Sequence, residues 1–292
     1  MKRLEESSIL VAGLARNCAT HIEEDIQKIR SAFSNAKEIS YLIIESDSSD
    51  STVQTLGKLS STIPRFSFSS LGNLCEHHPK RTDRISFCRN HYLYLINNDP
   101  AYSNIDFVVI ADLDGVNAQL TPNAVKSCWS RENWDVCAAN QAGPYYDIWA
   151  LRHTLWAPND CWREAEYLRT VGMSHFRSIT TSVYSKMVRL DPSHDWIEVD
   201  SAFGGLAIYK KEILFDAKYA GLNSNGSEVC EHVFFHQHLR SMGRRIFINP
   251  SFINANVVEH ARYATGLGPL KFWFRCLVRD ALLRLTKSTT IK

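Results

Sequence analysis

An α/β fold with a mainly parallel, doubly wound central sheet flanked by helices is predicted by three features of the sequence. Continuous apolar runs recur at Ile9–Leu14, Ile39–Ile44 and Phe107–Ala111; helical periodicity fills the intervals; turn-forming and capping residues mark the joints. In such sheets ligands bind outside the carboxyl ends of the strands.

Taken in order, Ile9–Leu14 reads as a strand buried on both faces. Thr20-His-Ile-Glu23 fits a capping box, and Ile22, Ile26, Ile29 and Phe33 follow at helical spacing. The strand Ile39–Ile44 ends in ESDSSDST, where Asp47 and Asp50 read as caps of the next helix. A further helix is expected around Arg84–Ile96, with Ile85, Cys88, Tyr92 and Leu95 on one face. Phe107–Ala111 is the next strand, and Thr121-Pro122 opens a helix with proline at its first position.

Residues 142–200 are aromatic, tryptophan-rich and weakly periodic, which suggests substrate-facing loops and a few helices. Periodicity returns in FGGLAIYKKEIL and in CEHVFFHQHLRSMGRRIFINPSF, a helix ending near Gly243 and leading into a strand. With no internal repeat or linker, one domain over 1–268 is expected, followed by a basic amphipathic helix over 269–292.

The bulk composition narrows the function classes. At 292 residues and 45% hydrophobic the chain can bury a large core, and a net charge of +2 supplies no field that would recruit nucleic acid. Eight cysteines without a CxxC pair argue against a zinc ribbon or a thioredoxin-like site and for reduced, mostly buried thiols. MKRLEESSILVAGLARN reads as the first core strand rather than a signal peptide. No window approaches the roughly 20 apolar residues of a membrane span. A cytoplasmic protein, soluble or peripheral to a membrane, is the expectation.

The chemistry concentrates in FVVIADLDGVNAQL, Phe107 to Leu120. Two carboxylates two residues apart, just past a buried strand, suit a hard divalent cation; the plain alternative is a turn or a helix cap. DLDGV also fits the opening motif of the haloacid-dehalogenase-like phosphatases, whose first aspartate is the nucleophile. That fold needs a later lysine and an acidic pair after another strand, and the strands around Val136 and Ile246 lead instead to AANQAG and NPSF.

Over roughly residues 7–260 the chain resembles the GT-A glycosyltransferases, through a set of strings in the family's order. They are GLARN (Gly13 to Asn17), IESDSSDST with Glu45 in the place of the first aspartate of VDDGSTDGT, RISFCRN (Arg84 to Asn90), DLD in the place of DxD, and GGLAIYKKEIL followed by CEHVFFHQHLRSMG. The segment GPYYDIWALR, with FGGLAIYKK and CEH, resembles the fungal capsule-associated mannosyltransferases more than ordinary family-2 enzymes.

The resemblance implies a single Rossmann-like GT-A domain, nucleotide-binding over about 7–141 and acceptor-facing over about 142–268. It implies a UDP- or GDP-linked sugar donor, a glycan or glycolipid acceptor, and Mn²⁺ or Mg²⁺. Asp114 would hold the metal and Asp112 the metal or the ribose, while His260 in NVVEHARY is the third metal ligand by position. Gly13, Arg16, Glu45, Arg84 and Arg89 fall on the nucleotide side: Glu45 as an acceptor for base or ribose, the arginines as partners of diphosphate oxygens or of site carboxylates. Gly204 and Gly205 would let backbone approach the sugar.

Glu231, at a helix start on the acceptor side, is the candidate general base, with His232 or Glu228 open as alternatives because the family's ED reads here as Glu231-His232. His232 and His236 share a helical face but lack the HExxH order of a zinc site. Tyr145, Tyr146, Trp149 and Trp156 could stack on a sugar or simply pack. Inversion through Glu231 and retention, toward which the capsule-family resemblance pulls, both stay open. So do two other readings: a nucleotidyltransferase, although GLARNCAT is not its phosphate loop, and a non-catalytic glycan-binding protein. In GPLKFWFRCLVRDALLRLTK, Lys271, Arg275 and Arg279 recur every four residues beside Phe272, Trp273 and Phe274, which suits either a peripheral membrane contact through 269–287 or a helix packed on the domain.

Overall fold

The computed structural model describes residues 1–289, with side chains described through Arg279. The three residues beyond Thr289 that the predicted C-terminal helix included lie outside the described residues.

The first half alternates strand and helix: β1 (Ser8–Ala15), α1 (Ile22–Ala32), β2 (Glu38–Glu45), α2 (Thr52–Thr62), β3 (Phe66–Ser70), α3 (Arg81–Asn98), β4 (Phe107–Asp112), α4 (Pro122–Ser127) and β5 (Val136–Gln141). Then come α5 (Cys161–Thr170), α6 (His175–Ser182), β6 (Ile197–Val199), β7 (Leu206–Lys210), α7 (Glu231–Ser241), β8 (Ile246–Ala255) and α8 (Gly268–Thr289). One eight-stranded sheet runs through both halves in the order β3-β2-β1-β4-β7-β5-β8-β6. Six strands point the same way; β7, wedged between β4 and β5, and β6 at the edge run against them.

Alternation along the strands builds a core on each face. Leu10, Ala12, Val108 and Ile110 point to the side covered by α3, α5, α6 and α7. Ile9, Val11, Val109 and Ala111 point to the side covered by α1, α2 and α4. This two-sided burial is why the parallel strands read as unbroken apolar runs. On α1 the buried set is Ile22, Ile26, Ile29 and the following Phe33, as its periodicity predicts. Thr121 accepts from the Ala124 amide and Pro122 opens α4, as expected.

Several local expectations need correction. His21, not Thr20, precedes the first residue of α1, and no side chain caps that end. Asp50 does bond the Thr52 amide at the start of α2, but Asp47 accepts instead from the Cys75 amide, 28 residues on. β3 and β6 had no sequence signal: β3 is FSFSS, half-exposed at the sheet edge, and β6 is three residues long. Residues 142–200 do contain helices, α5 capped by Asp160 and α6 by Ser174. No helix among the described residues is long and apolar enough to cross a membrane.

The chain passes from β1 outward to β2 and β3, then returns through α3 to β4 on the other side of β1. That reversal opens a crevice at the carboxyl ends of β1 and β4. Register places Asp112 beside Leu14, at the lip of that crevice.

Trp134 is fully buried and packs its ring against Phe107, Trp129 and Trp196. Trp134→Ala is expected to lower the unfolding free energy by about 3–5 kcal/mol, read from the urea midpoint at unchanged denaturant slope.

Candidate functional site

A cleft of about 1240 Å³ opens over the switch point. Its walls are the exit of β1 with Arg16, the α3 face carrying Arg84 and Arg89, and the turn Asp112–Gly115 after β4. Opposite stand Tyr146–Ala150, Phe203, Glu231-His232 and the segment from Ala255 through Tyr263. The cleft thus gathers Arg16, Arg84, Arg89, Asp112, Asp114, Glu231, His232 and His260 from a chain distance of more than 200 residues. Gly13, Gly204 and Gly205 stand behind its wall rather than in its lining.

Arg89 is the hub. Its side chain is 6% exposed, with Nε 3.3 Å from Glu231 Oε1 and Nη2 3.6 Å from Asp112 Oδ1. Nη1 donates to the Tyr92 hydroxyl at 3.1 Å, and the guanidinium lies over the rings of Phe203 and Tyr219 at 5.3 and 5.5 Å. Burial works against that charge, yet Tyr92, Glu231, Tyr219 and Asp112 hold its pKa above the ordinary value. One cation therefore links the end of β4 to the first turn of α7.

The carboxylates around it crowd one another. Burial pushes Asp112 up to about 7; Arg89 opposes the shift, while Asp114, Asp147 and Glu231 add to it. Since 39% of the Asp112 side-chain surface still faces the cleft, water screening limits what the shift costs in stability. Asp147, which the sequence did not single out, lies within GPYYDIW and lines the same cleft. Its Oδ2 accepts from the Gly204 amide at 3.0 Å and Oδ1 from the Ala150 amide at 3.3 Å. Burial raises its pKa, with Glu231 adding to the shift and His260 opposing it. A lone acid inside an aromatic stretch was the available signal.

The turn carrying Asp112 and Asp114 is pinned from below. The Asp112 amide donates to Gly205 O at 2.9 Å, and Asn117 Nδ2 donates to Asp112 O at 2.7 Å. Asn254 Nδ2 bonds both Asn117 Oδ1 and Gly204 O at 2.9 Å, and Gln141 Nε2 bonds Asn254 Oδ1 at 3.1 Å. These amides, all buried, tie the ends of β5 and β8 to the turn after β4. The Gly115 amide donates to Asp25 Oδ2 at 2.8 Å from α1, and burial raises Asp25 to about 6. Asp114 itself is exposed.

Glu45, Glu228 and His236 have their polar atoms engaged within the fold. Glu45 is buried outside the cleft lining, its oxygens taken by the Ser48 amide and the Ser70 hydroxyl. Glu228 accepts from the amide and hydroxyl of Thr82 at the start of α3. His236 is clamped between Ser201 Oγ and Tyr209 Oη and is pushed down to about 3 by burial. His232 stacks on Phe203 at 3.9 Å; among the described residues neither ring nitrogen has a hydrogen-bond partner, and Nε2 lies 4.0 Å from Glu231 Oε1. Burial and then Arg89 drive its pKa far below the ordinary value, so it faces the cleft as a neutral ring.

Arg84 donates to the carbonyls of His78 and Pro79 and lies 3.9 Å from Asp47. Arg16 is exposed at the rim. Tyr146 stacks on His260 at 5.9 Å, and Trp149 donates to Asp160; both line the cleft, whereas Tyr145 and Trp156 pack edge-to-face in the core.

Asp112, Asp114, Asp147 and His260 offer hard oxygen donors and one imidazole, a set whose chemistry suits Mn²⁺ or Mg²⁺. Among the described residues, no three such side chains are already grouped as a metal cage. Donor chemistry fits a cation that takes part of its shell from a ligand.

No family model matches the chain, and no curated protein matches it. Among solved structures it is similar to Staphylococcus aureus TarS 1–349 in complex with UDP-GlcNAc, at 15% identity over 86% of this chain and 59% of that one, TM-score 0.48. It is also similar to the mannosyltransferase PcManGT of Pyrobaculum calidifontis in complex with GDP-Man and Mn²⁺, at 15% identity over 89% and 59%, TM-score 0.47. Glucosyl-3-phosphoglycerate synthase of Mycobacterium tuberculosis, with Mn²⁺, UDP and phosphoglyceric acid, matches at 14% identity over 86% and 67%, TM-score 0.42. The chain spans less than two thirds of the first two, and with scores below 0.5 the likeness is one of outline, which assigns no residue a role.

Two outcomes follow from the charge cluster. Arg89→Met leaves Glu231 buried and Asp112 half-buried without their shared cation, so a loss of about 3 kcal/mol is expected in chemical denaturation. The Asp112 carboxyl keeps its proton in the folded state up to about 7 but sheds it near 3.8 when unfolded. Its contribution to stability is therefore complete below about pH 4 and is lost as pH rises through 7. Asp112→Asn should shrink the fall in melting temperature between pH 5 and pH 8.

Proposed function

We propose that this chain is a metal-dependent glycosyltransferase of the GT-A type, moving a sugar from a nucleoside-diphosphate donor to a hydroxyl of a glycan or glycolipid acceptor. The observation that carries the reading is the acidic turn Asp112–Asp114 at the sheet's switch point, facing Glu231 across Arg89 in one cleft. The nucleotide side is formed by residues of about 7–141 and the acceptor side by residues of about 142–268.

Asp114 and Asp112 would hold Mn²⁺ or Mg²⁺, with His260 as the third protein ligand. A cation bound there supplies charge neutralisation for the diphosphate. Arg16 and Arg84 on the nucleotide wall are positioned to pair with its remaining oxygens. Glu231 accepts the proton of the acceptor hydroxyl as the new C–O bond forms at the anomeric carbon and the sugar–phosphate bond breaks, releasing the nucleoside diphosphate. A carboxylate on the acceptor wall supports this direct displacement, with inversion, over a retaining route in which the leaving phosphate takes the proton. Arg89 orients Glu231, and neutral His232 contributes an uncharged face beside it.

Asp147, beneath the Gly204 amide and beside Tyr146 and Trp149, supports a sugar subsite at the junction of the two walls. The resemblance of that segment to the capsule-associated mannosyltransferases supports a role in polysaccharide or surface-glycan synthesis. The cations lining the cleft are all arginines, which gives the haloacid-dehalogenase-like phosphatase reading no lysine to use. Cys18, Cys75, Cys88, Cys128, Cys137, Cys161 and Cys230 stand as thiols, in keeping with a cytoplasmic setting.

The direct test is a thermal-stability panel of UDP, GDP, CMP and dTDP, each with and without Mn²⁺. One nucleotide at about a hundred times its Kd should stabilise the fold by about 2.7 kcal/mol, a rise of roughly 5 °C, only when metal is present. Asp114→Ala should abolish that rise; no rise with any nucleotide would overturn the metal-bridged donor site. Glu231→Gln is expected to retain the nucleotide-dependent rise while losing about 10²–10⁴ in turnover.

A further inference from the structure

Helix α8 carries two apolar faces where a helix packed on a domain needs one. Phe272 and Cys276 are buried. Phe272 sits in an aromatic cage of Phe176, Tyr184 and Tyr263, with ring centroids 5.0–5.6 Å away. On the other side Leu270, Trp273, Phe274, Leu277 and Val278 are 44–64% exposed. Their spacing is i, i+3, i+4, i+7, i+8, the signature of one continuous helical face. At about 100° per residue this stripe points away from Phe272 and Cys276. An apolar face of five large side chains turned to solvent marks an interaction surface.

The charge pattern identifies the occupant. Residues 267–279 contain Lys271, Arg275 and Arg279 and no acidic residue. All three cations fall on one flank of the exposed stripe; Lys271 can reach outward beside a buried apolar band, while Arg275 is held by Tyr263. A basic flank, two adjacent exposed aromatics and an aliphatic row suit the headgroup–acyl boundary of an anionic bilayer. The same helix is fastened to the cleft. Arg275 Nη1 donates to the Tyr263 hydroxyl at 3.0 Å, and Gly268 packs against the Arg262 carbonyl so closely that a Cβ would clash. Tyr184, Arg262 and Tyr263 in turn line the cleft.

We infer that α8 docks through Leu270, Trp273, Phe274, Leu277 and Val278 on an anionic lipid surface, bringing the Tyr184–Tyr263 rim of the cleft to the bilayer, so that the acceptor is lipid-linked. Docking stands on the helix alone; the acceptor assignment rests on the glycosyl-transfer reading.

The test is flotation of the full chain with phosphatidylcholine vesicles and with vesicles containing 30% phosphatidylglycerol. Binding to the anionic vesicles is expected, at least tenfold weaker in Trp273→Glu/Phe274→Glu and weakened in Lys271→Glu and at high salt. All three side chains are exposed, so an unchanged melting temperature verifies the fold. Failure to float, equal binding to neutral vesicles, or undiminished binding of the double variant overturns the inference. So does a dimer by light scattering that the double variant disperses without any vesicle binding, since the face would then belong to a second copy. Flotation needs no nucleotide, so it can fail while the donor test succeeds, and the reverse.

Discussion

The guanidinium of Arg89 is the point through which the cleft is assembled. It is anchored on α3, reaches Asp112 at the end of β4 and Glu231 at the start of α7, and is walled by Phe203 and Tyr219. α3, β4 and α7 are thereby set relative to the turn that carries Asp114. In a poorly hydrated pocket neither carboxylate could be held so close without a cation between them. The two aromatic faces let that cation stay charged with little water around it.

The second constraint is the antiparallel strand β7, inserted between β4 and β5. The chain enters it through Gly204 and Gly205, both at positive φ, and the space there is already filled. A Cβ on Gly204 would lie 2.8 Å from Ala139 O, and one on Gly205 would lie 2.8 Å from Tyr146 Oη and 2.9 Å from Val116. Glycine here serves the crossing of β5, β7 and the DLDG turn. The buried amides of Asn117, Gln141 and Asn254 close the same junction, and their mutual satisfaction makes the arrangement single-valued.

A site built this way is held against its own charge. Asp112 and Asp25, at about 7 and about 6, are both easier to keep protonated than an ordinary carboxyl. Near neutral pH the carboxylates of Asp112, Asp114, Asp147 and Glu231 repel one another, with Arg89 set among them. A cation-bearing ligand would relieve that strain, which gives the stability of the fold and the occupancy of the cleft a common electrostatic origin.

The sequence by itself determined the α/β alternation, because strands buried on both faces must read as apolar runs and α1 must bury Ile22, Ile26, Ile29 and Phe33. It also located the DLDG turn after β4, and it marked Glu231 at a helix start, Arg89 on α3 and His260 near the end of the domain as groups worth watching. Tertiary structure alone decided which of these meet. Glu45 and Glu228 look as free as Glu231 in the chain, yet partners 25 and 146 residues away occupy their oxygens. Asp147 joined the cleft because the Gly204 amide, 57 residues on, helps hold its carboxylate there, and the weakly periodic segment around it does not announce that contact. The edge strands β3 and β6 were invisible because short, half-exposed segments carry almost no periodicity. Local chemistry writes elements into a sequence; long-range contacts decide which polar groups are satisfied and which are left to act.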